Sequence, residues 1–140
     1  MTELGRFTAL PLVDDDTRAY WSGGVDGRLR IHRCASCRAY VHPPAPVCRH
    51  CASREVAPTP VSGRGVLYAY SLNVQDWGRG PDDEFVYAVV ELVEQDSLRV
   101  SAHLRECPVE EIAIGMPVRV GFERVGDVDF PVFVPDPADR

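Results

Sequence analysis

Four cysteines, Cys34, Cys37, Cys48 and Cys51, stand as two C-x2-C pairs separated by ten residues. One tight turn can aim both sulfurs of such a pair at a common point. Two turns facing each other then deliver four thiolates in a tetrahedron, the arrangement zinc takes in closed structural sites. The spacing therefore predicts a zinc ribbon with Cys34, Cys37, Cys48 and Cys51 as ligands. Iron in the same four-sulfur cage is the alternative metal, because geometry alone separates the two poorly. A disulfide framework is the rival use of four cysteines. The opening MTELGRFTAL has neither a basic n-region nor an apolar h-region, so it does not support the oxidising context that such a framework needs. No stretch reaches the length of an apolar membrane span, and a cytoplasmic location with no membrane partner is the corresponding expectation.

Four protein thiolates leave no coordination position for water or substrate, so the metal is expected to hold the fold rather than act as a Lewis acid. Metal binding in such modules contributes on the order of 10 kcal/mol or more of folding free energy. A segment as short as Cys34 to Cys51 cannot gather that from its own apolar burial. His32, His42 and His50 lie nearby; with four cysteines present they are expected to be solvated or carbonyl-bonded rather than ligands. Cys107 lies far outside the array and reads as an inert buried thiol.

All 15 basic residues are arginine, and the net charge is −6. Its distribution is more informative than its total. Residues 1–60 hold 8 Arg and 6 acids, a balance of +2, whereas residues 61–140 hold 7 Arg and 15 acids, a balance of −8. From Gly27 to Arg54 there are six arginines (Arg28, Arg30, Arg33, Arg38, Arg49, Arg54) and no acid. Part of that charge offsets the formal −2 of a four-thiolate zinc centre, and the rest offers a basic face to an anion.

Along the chain, Asp14, Asp15 and Asp16 followed by Thr17 to Trp21 suggest a short helix ended by Gly23 and Gly24. Tyr20 and Trp21 are adjacent, so one is expected to pack inward while the other faces a ligand or another chain. Arg28 to Arg33 alternates around Leu29 and Ile31 as a strand into the first cysteine turn, and Pro43, Pro44 and Pro46 stiffen the loop between turns. Ala57 to Pro60 reads as a Pro-containing connection. Five segments rich in branched and aromatic residues follow, at 66–74, 85–93, 98–104, 118–122 and 130–134. Gln75 to Asp83 is a polar loop between the first two, and Pro108 to Ile114 a short helix between the third and fourth. The pattern is mainly β: an N-terminal helical segment (1–27), a zinc ribbon (28–60) and a five-stranded OB-fold barrel (61–140).

These residues resemble a known family, the bacterial and archaeal proteins that join a rubredoxin-like zinc ribbon to an OB-fold, catalogued as domain of unknown function 35. The likeness covers nearly the whole chain. It rests on Tyr20-Trp21, Gly24 and Gly27 leading to Leu29, the cysteine array enclosing Pro43-Pro44, Ser62-Gly63-Arg64-Gly65, Val90-Glu91-Leu92, Ile114-Gly115-Met116-Pro117-Val118 and Pro131-Val132-Phe133. One departure is the turn Glu94-Gln95-Asp96, where many relatives carry a glycine. The resemblance implies an accessory subunit of thiolase-like or lipid-transfer-type enzymes: such proteins accompany sterol-side-chain aldolases, link thiolase to hydroxymethylglutaryl-CoA synthase, or serve a phloroglucinol acyltransferase, and some are fused to hydratase domains. Ribbon and barrel then help shape an acyl-CoA channel.

Chemistry of its own is sparse. The chain has no G-x-S-x-G elbow, H-E-x-x-H helix, Walker loop or dinucleotide fingerprint. Glu91 and His103 on neighbouring strands are the one acid and base pair that can be drawn for a stand-alone acyl-CoA enzyme. Tyr68 and Tyr70, two apart and so on one strand face, could stack bases in a single-stranded nucleic-acid module, but a barrel at −8 repels phosphates. The expected function is a non-catalytic subunit that binds a thiolase-like or lipid-transfer-type aldolase or acyltransferase and lines its acyl-CoA channel. Arg28, Arg30, Arg33 and Arg38 would meet the phosphates of the acyl-CoA ligand, and Tyr20 and Trp21 the partner.

Overall fold

The Leu29-Arg30-Ile31 alternation starts strand β1 (Arg30–Cys34), whose apolar side chains are sealed from solvent while Arg30 and Arg33 stay at the surface. The structure, a computed structural model, describes residues 10–74 and 84–137. β1 is the middle strand of a three-stranded antiparallel sheet, between β2 (Tyr40–Val41) and β3 (Val56–Pro60). The expected connection at 57–60 is therefore a strand, in register from Cys34 opposite Val56 to Arg30 opposite Pro60. Its prolines disguised it: β3 lies at the sheet edge, where missing N–H groups are tolerated because no further strand requires them.

The remaining strands, β4 (Arg64–Asn73), β5 (Phe85–Leu92), β6 (Arg99–Leu104), β7 (Pro117–Val125) and β8 (Val128–Pro135), close into a barrel of order β4-β5-β6-β8-β7, with β6 and β8 parallel and the other pairs antiparallel. This is the expected five-strand OB-like barrel. The helix expected at 108–114 is a single 3-10 turn, Val109–Glu111, held short by extended backbone at Pro108 and Ile112. The polar loop expected at Gln75 to Asp83 lies outside the described residues.

Phe133, Leu67, Val90, Val100 and Val118 fill the barrel at 0% exposure, and the same apolar cluster takes in Tyr20, Leu29, Ile31 and Tyr40 from upstream. The ribbon's own core is only Cys34, Val41 and Cys48 with Ala45 and Val56 beside them. Ribbon and barrel thus share one interior. The glycine-free turn after β5 adds a polar clamp: Ser97 takes the left-handed conformation (φ 63°) in place of a glycine. The Gln95 carboxamide meets the Tyr40 backbone twice, accepting from Tyr40 N–H at 2.9 Å and donating to its carbonyl at 3.3 Å. Next to it, the Glu94 carboxylate accepts the Ser62 N–H at 2.8 Å. Replacing Gln95 with alanine leaves two part-buried backbone groups unpaired and is expected to cost about 1–3 kcal/mol in urea unfolding, with zinc content unchanged.

Two expectations about the aromatic residues are corrected. The segment 14–25 is a turn closed by Asp14, whose carboxylate accepts from the N–H groups of Asp16 and Thr17, followed by a 3-10 helix, Tyr20–Val25, kinked at Ser22. Gly23 and Gly24 lie inside that helix instead of ending it. They are there for close approach: a Cβ on Gly23 would sit 2.6 Å from the Arg28 carbonyl oxygen and 2.7 Å from the Phe122 ring, and one on Gly24 2.7 Å from the Asp129 carboxyl carbon. Second, a β-bulge between Leu67 and Ala69 reverses the facing of β4. Tyr68 lies on the outer surface, with the Arg99 guanidinium 3.7 Å above its ring, while Tyr70 is paired with inward-facing Ala88. The two tyrosines do not form a stacking platform.

Candidate metal centre and the aromatic groove beside it

The two cysteine turns have the same local build. In the first, Cys34 N–H donates to the Ala39 carbonyl and Arg38 N–H returns to the Cys34 carbonyl, each at 2.9 Å; in the second, Cys48 N–H donates to Ser53 and Ala52 N–H to Cys48, each at 2.8 Å. Each turn closes on a left-handed residue four places after its first cysteine, Arg38 (φ 70°) and Ala52 (φ 64°). Backbone amides also point at sulfur: Cys37 N–H at 3.5 Å from Cys34 Sγ, and His50 N–H at 3.3 Å from Cys48 Sγ.

The four sulfurs lie within 4.8 Å of one another, with Cys34 and Cys51 3.6 Å apart and Cys37 and Cys48 3.7 Å apart. A tetrahedron with zinc–sulfur bonds of about 2.3 Å has edges of about 3.8 Å. A disulfide would need about 2.05 Å, and all five cysteines are free. The donor set fits zinc, and no coordination position is left for substrate. Electrostatics agree. The Cys37 amide above all, with further donors, draws the Cys34 thiol down to about 6. At Cys51 the Ser53 amide pulls the other way, yet the Cys34 sulfur, burial and the Cys37 and Cys48 sulfurs together hold its thiol up at about 12. With Cys51 held protonated by its neighbours, all four sulfurs become thiolates together only around a cation.

No histidine joins the cluster. His50 is exposed as expected, but His32 is 5% exposed rather than solvated, and desolvation, opposed by Asp16, lowers its pKa. Burial first, then the charges of Arg49 and His32, hold His42 down to about 4. Because the folded value lies below the unfolded one, near 6.5, acidification between pH 6.5 and 4 protonates the unfolded chain first. His42 alone is expected to remove on the order of 2–3 kcal/mol of stability across that window and nothing above it. NMR titration of the zinc-loaded protein should show the His42 ring unchanged from pH 7.5 to 5.

Among the four arginines expected to meet phosphates, two are already engaged. Arg30 donates to the Asp26 carboxylate at 3.0 Å, and Arg33 donates to the Arg38 carbonyl at 2.8 Å with its guanidinium 4.6 Å from the Tyr40 ring centre. The exposed Arg28 and Arg38 side chains make no hydrogen bond among the described residues.

Of the two adjacent rings, Tyr20 packs inward and Trp21 stays at the margin of the core. Tyr20 is buried and Trp21 partly so, their rings meet edge-on at 4.8 Å, and both border one groove. Tyr20 also packs on His42 at 5.1 Å, and Trp21 on Phe130 at 5.5 Å. The groove runs over the outer face of β6, with a larger cavity of about 470 Å³ reaching His42, Pro43, Pro44 and Arg99, and a smaller one of about 170 Å³ reaching Tyr87, His103 and Phe130. Sequence reasoning paired Tyr20 with Trp21 but did not bring His42, Pro43, Arg99, His103 and Phe130 to them, because these walls are far apart in the chain. The acid and base pair does not assemble: Glu91 lies opposite Arg99 and bonds it at 3.3 Å, whereas His103 lies opposite Tyr87 and stacks on Phe85 at 4.5 Å. Among the described residues no helix is long and apolar enough to cross a membrane.

Residues 21–57 match the family described as ChsH2, rubredoxin-like zinc ribbon domain, and residues 58–123 the one described as ChsH2, C-terminal OB-fold domain. A probable enoyl-CoA hydratase alpha subunit of Thermomonospora curvata is 32% identical over 126 residues, 89% of this chain; the chain spans 39% of that relative's length. A DUF35 domain-containing scaffold protein of Methanocaldococcus jannaschii is 28% identical over 95 residues, 66% of each chain. In a solved structure described as Ltp2-ChsH2(DUF35) aldolase, one chain superposes with a TM-score of 0.80 and 31% identity, over 90% of this chain and 98% of the other.

Proposed function

The chain belongs to the DUF35 family, with a ChsH2-type zinc ribbon and a ChsH2-type OB-fold, and from that premise we propose that it is a non-catalytic accessory subunit of a lipid-metabolism enzyme, docking on a thiolase-like or lipid-transfer-type chain and contributing to its acyl-CoA channel. The observation that carries this reading is the match in the aldolase structure, which spans 98% of the matching chain and so concerns the whole ribbon-barrel unit. The hydratase name of another relative points to acyl-CoA chemistry. A metal held by the four cysteines would be walled in by sulfur, and the only acid and base pair drawn from sequence is taken up by other partners, which supports binding as the work of this unit.

Two surfaces suit the role. The groove of Tyr20 and Trp21 is rich in rings that lose little entropy on being covered, the composition of interface anchors. Arg28 and Arg38, exposed on the basic ribbon, can give charge-assisted hydrogen bonds to the phosphates of coenzyme A, while Arg30 and Arg33 support them from their present bonds.

Co-expression with an Ltp2-type aldolase chain is the test. A stable complex should form, and Trp21→Ala should weaken it at least tenfold, about 1.4 kcal/mol, in calorimetry while zinc content stays at one per chain. Turnover of acyl-CoA by the isolated chain, or failure to bind any thiolase-fold chain with zinc in place, overturns the reading.

A further inference from the structure

β4 has ten residues, yet it meets β7 only over Arg64–Val66. Bonds between Leu67 and the backbone of Gly115 and Met116 extend that seam by one residue. From Ala69 to Leu72 the strand is paired with β5 alone, and its other edge faces no strand among the described residues. Natural edges are blunted by charges, prolines or bulges. The sequence Ala69-Tyr70-Ser71-Leu72 has no charge and no proline, and the bulge of β4 lies before it.

A second observation concerns side chains. Tyr70 and Leu72 are paired with Ala88 and Val86, which are 0% and 7% exposed and belong to the core side of β5, yet Tyr70 is 41% and Leu72 37% exposed. The inner face of the sheet therefore runs past the closed part of the barrel uncovered. Ile114, next to the Gly115 that bonds Leu67, adds apolar surface at 62% exposure where the open edge begins.

We propose that this edge is a self-association seam, in which two copies of the chain pair antiparallel through β4 about a two-fold axis at Ser71. The side-chain order selects a second copy: with Ser71 opposite its own counterpart, Tyr70 of one copy falls opposite Leu72 of the other, and the same pair recurs across the axis. Residues directly opposite share a face, so both apolar pairs form on the uncovered inner side and small Ser71 pairs with itself outside. No like charges meet at the seam although each barrel half is acidic. The contact is isologous, the commonest way for one chain to meet itself. A seam this short buries less than the roughly 1,200 Å² of a stable complex, so it forms only at high concentration or where a larger assembly brings two copies together. It uses neither the Tyr20 groove nor the ribbon arginines, so its failure would leave the subunit reading intact.

Sedimentation velocity of the zinc-loaded full chain from 5 to 500 µM tests it. The wild type should shift towards a dimer across this range. Leu72→Lys and Tyr70→Glu should each raise the midpoint at least tenfold, and an equimolar mixture of the two variants should recover association, because lysine then faces glutamate once while the other Tyr–Leu pair is intact. Amide exchange in the wild type should slow at residues 69–72 with rising concentration, a readout that needs no substitution. A monomer at every concentration, association of both variants like the wild type, or a mixture no better than its components overturns the proposal.

Discussion

Stripping the metal from this protein should unfold the ribbon, the largest single effect expected from any one change. Treatment with a strong chelator, or Cys48→Ser, is expected to release one zinc per chain and remove on the order of 10 kcal/mol of apparent folding free energy from that segment. The reason lies in what else holds it. Apart from the two buried cysteines, its separate core is one valine, Val41, with Ala45 and Val56 alongside. Its β2 is two residues long. With the cation gone, four sulfurs within 4.8 Å cannot all remain thiolates, and protonation replaces coordination with polarizable but weak contacts. The same chemistry sets the pH response: every ligand must lose its proton to bind, so affinity falls on acidification. Metal analysis together with mercurial titration of four thiols per released zinc checks the stoichiometry, and circular dichroism checks the unfolding. A metal-free chain with an unchanged melting curve would remove the basis for calling the centre structural.

The second large effect is expected at Leu29, which is 0% exposed and joins the cluster filled by Leu67, Val90, Val100 and Phe133. Leu29→Ala removes a side chain that the ribbon lends to the barrel and should cost about 2–5 kcal/mol, the range for leucine truncation in a closed core. Urea unfolding followed both by the NMR amide signals of barrel residues such as Val90 and Val100 and by zinc release should show one shared transition that moves to lower urea. If the barrel signal kept its midpoint while zinc release alone moved, ribbon and barrel would be separate units and the shared interior would be refuted.

Individual residues show how far the chain could be read in advance. Cys34, Cys37, Cys48 and Cys51 announce their geometry because two atoms from one turn have little freedom, so a spacing of two residues is already a spatial statement. The barrel strands were visible through runs such as Phe85–Leu92, whose alternation of buried and surface positions is local. β3 was not, because Pro58 and Pro60 are strand breakers except at an edge, and being at an edge is a property of neighbours. The facing of Tyr70 was missed for a related reason: one bulged residue at Leu67/Ala69 reverses a period-two pattern, and the bulge leaves no mark in the sequence.

What the sequence by itself determined is governed by short separations: the four-cysteine array, the strand-rich composition and the split between a basic ribbon and an acidic barrel. Tertiary structure alone decided which surfaces exist. It brought Tyr20, Trp21, His42, Pro43, Arg99 and Ser101 around one groove, moved Glu91 away from His103 and tied Gln95 to Tyr40, 55 residues apart. The physical reason is that a turn or a strand is stabilised by bonds among near neighbours, whereas a groove is what remains between elements after each has buried its own apolar face.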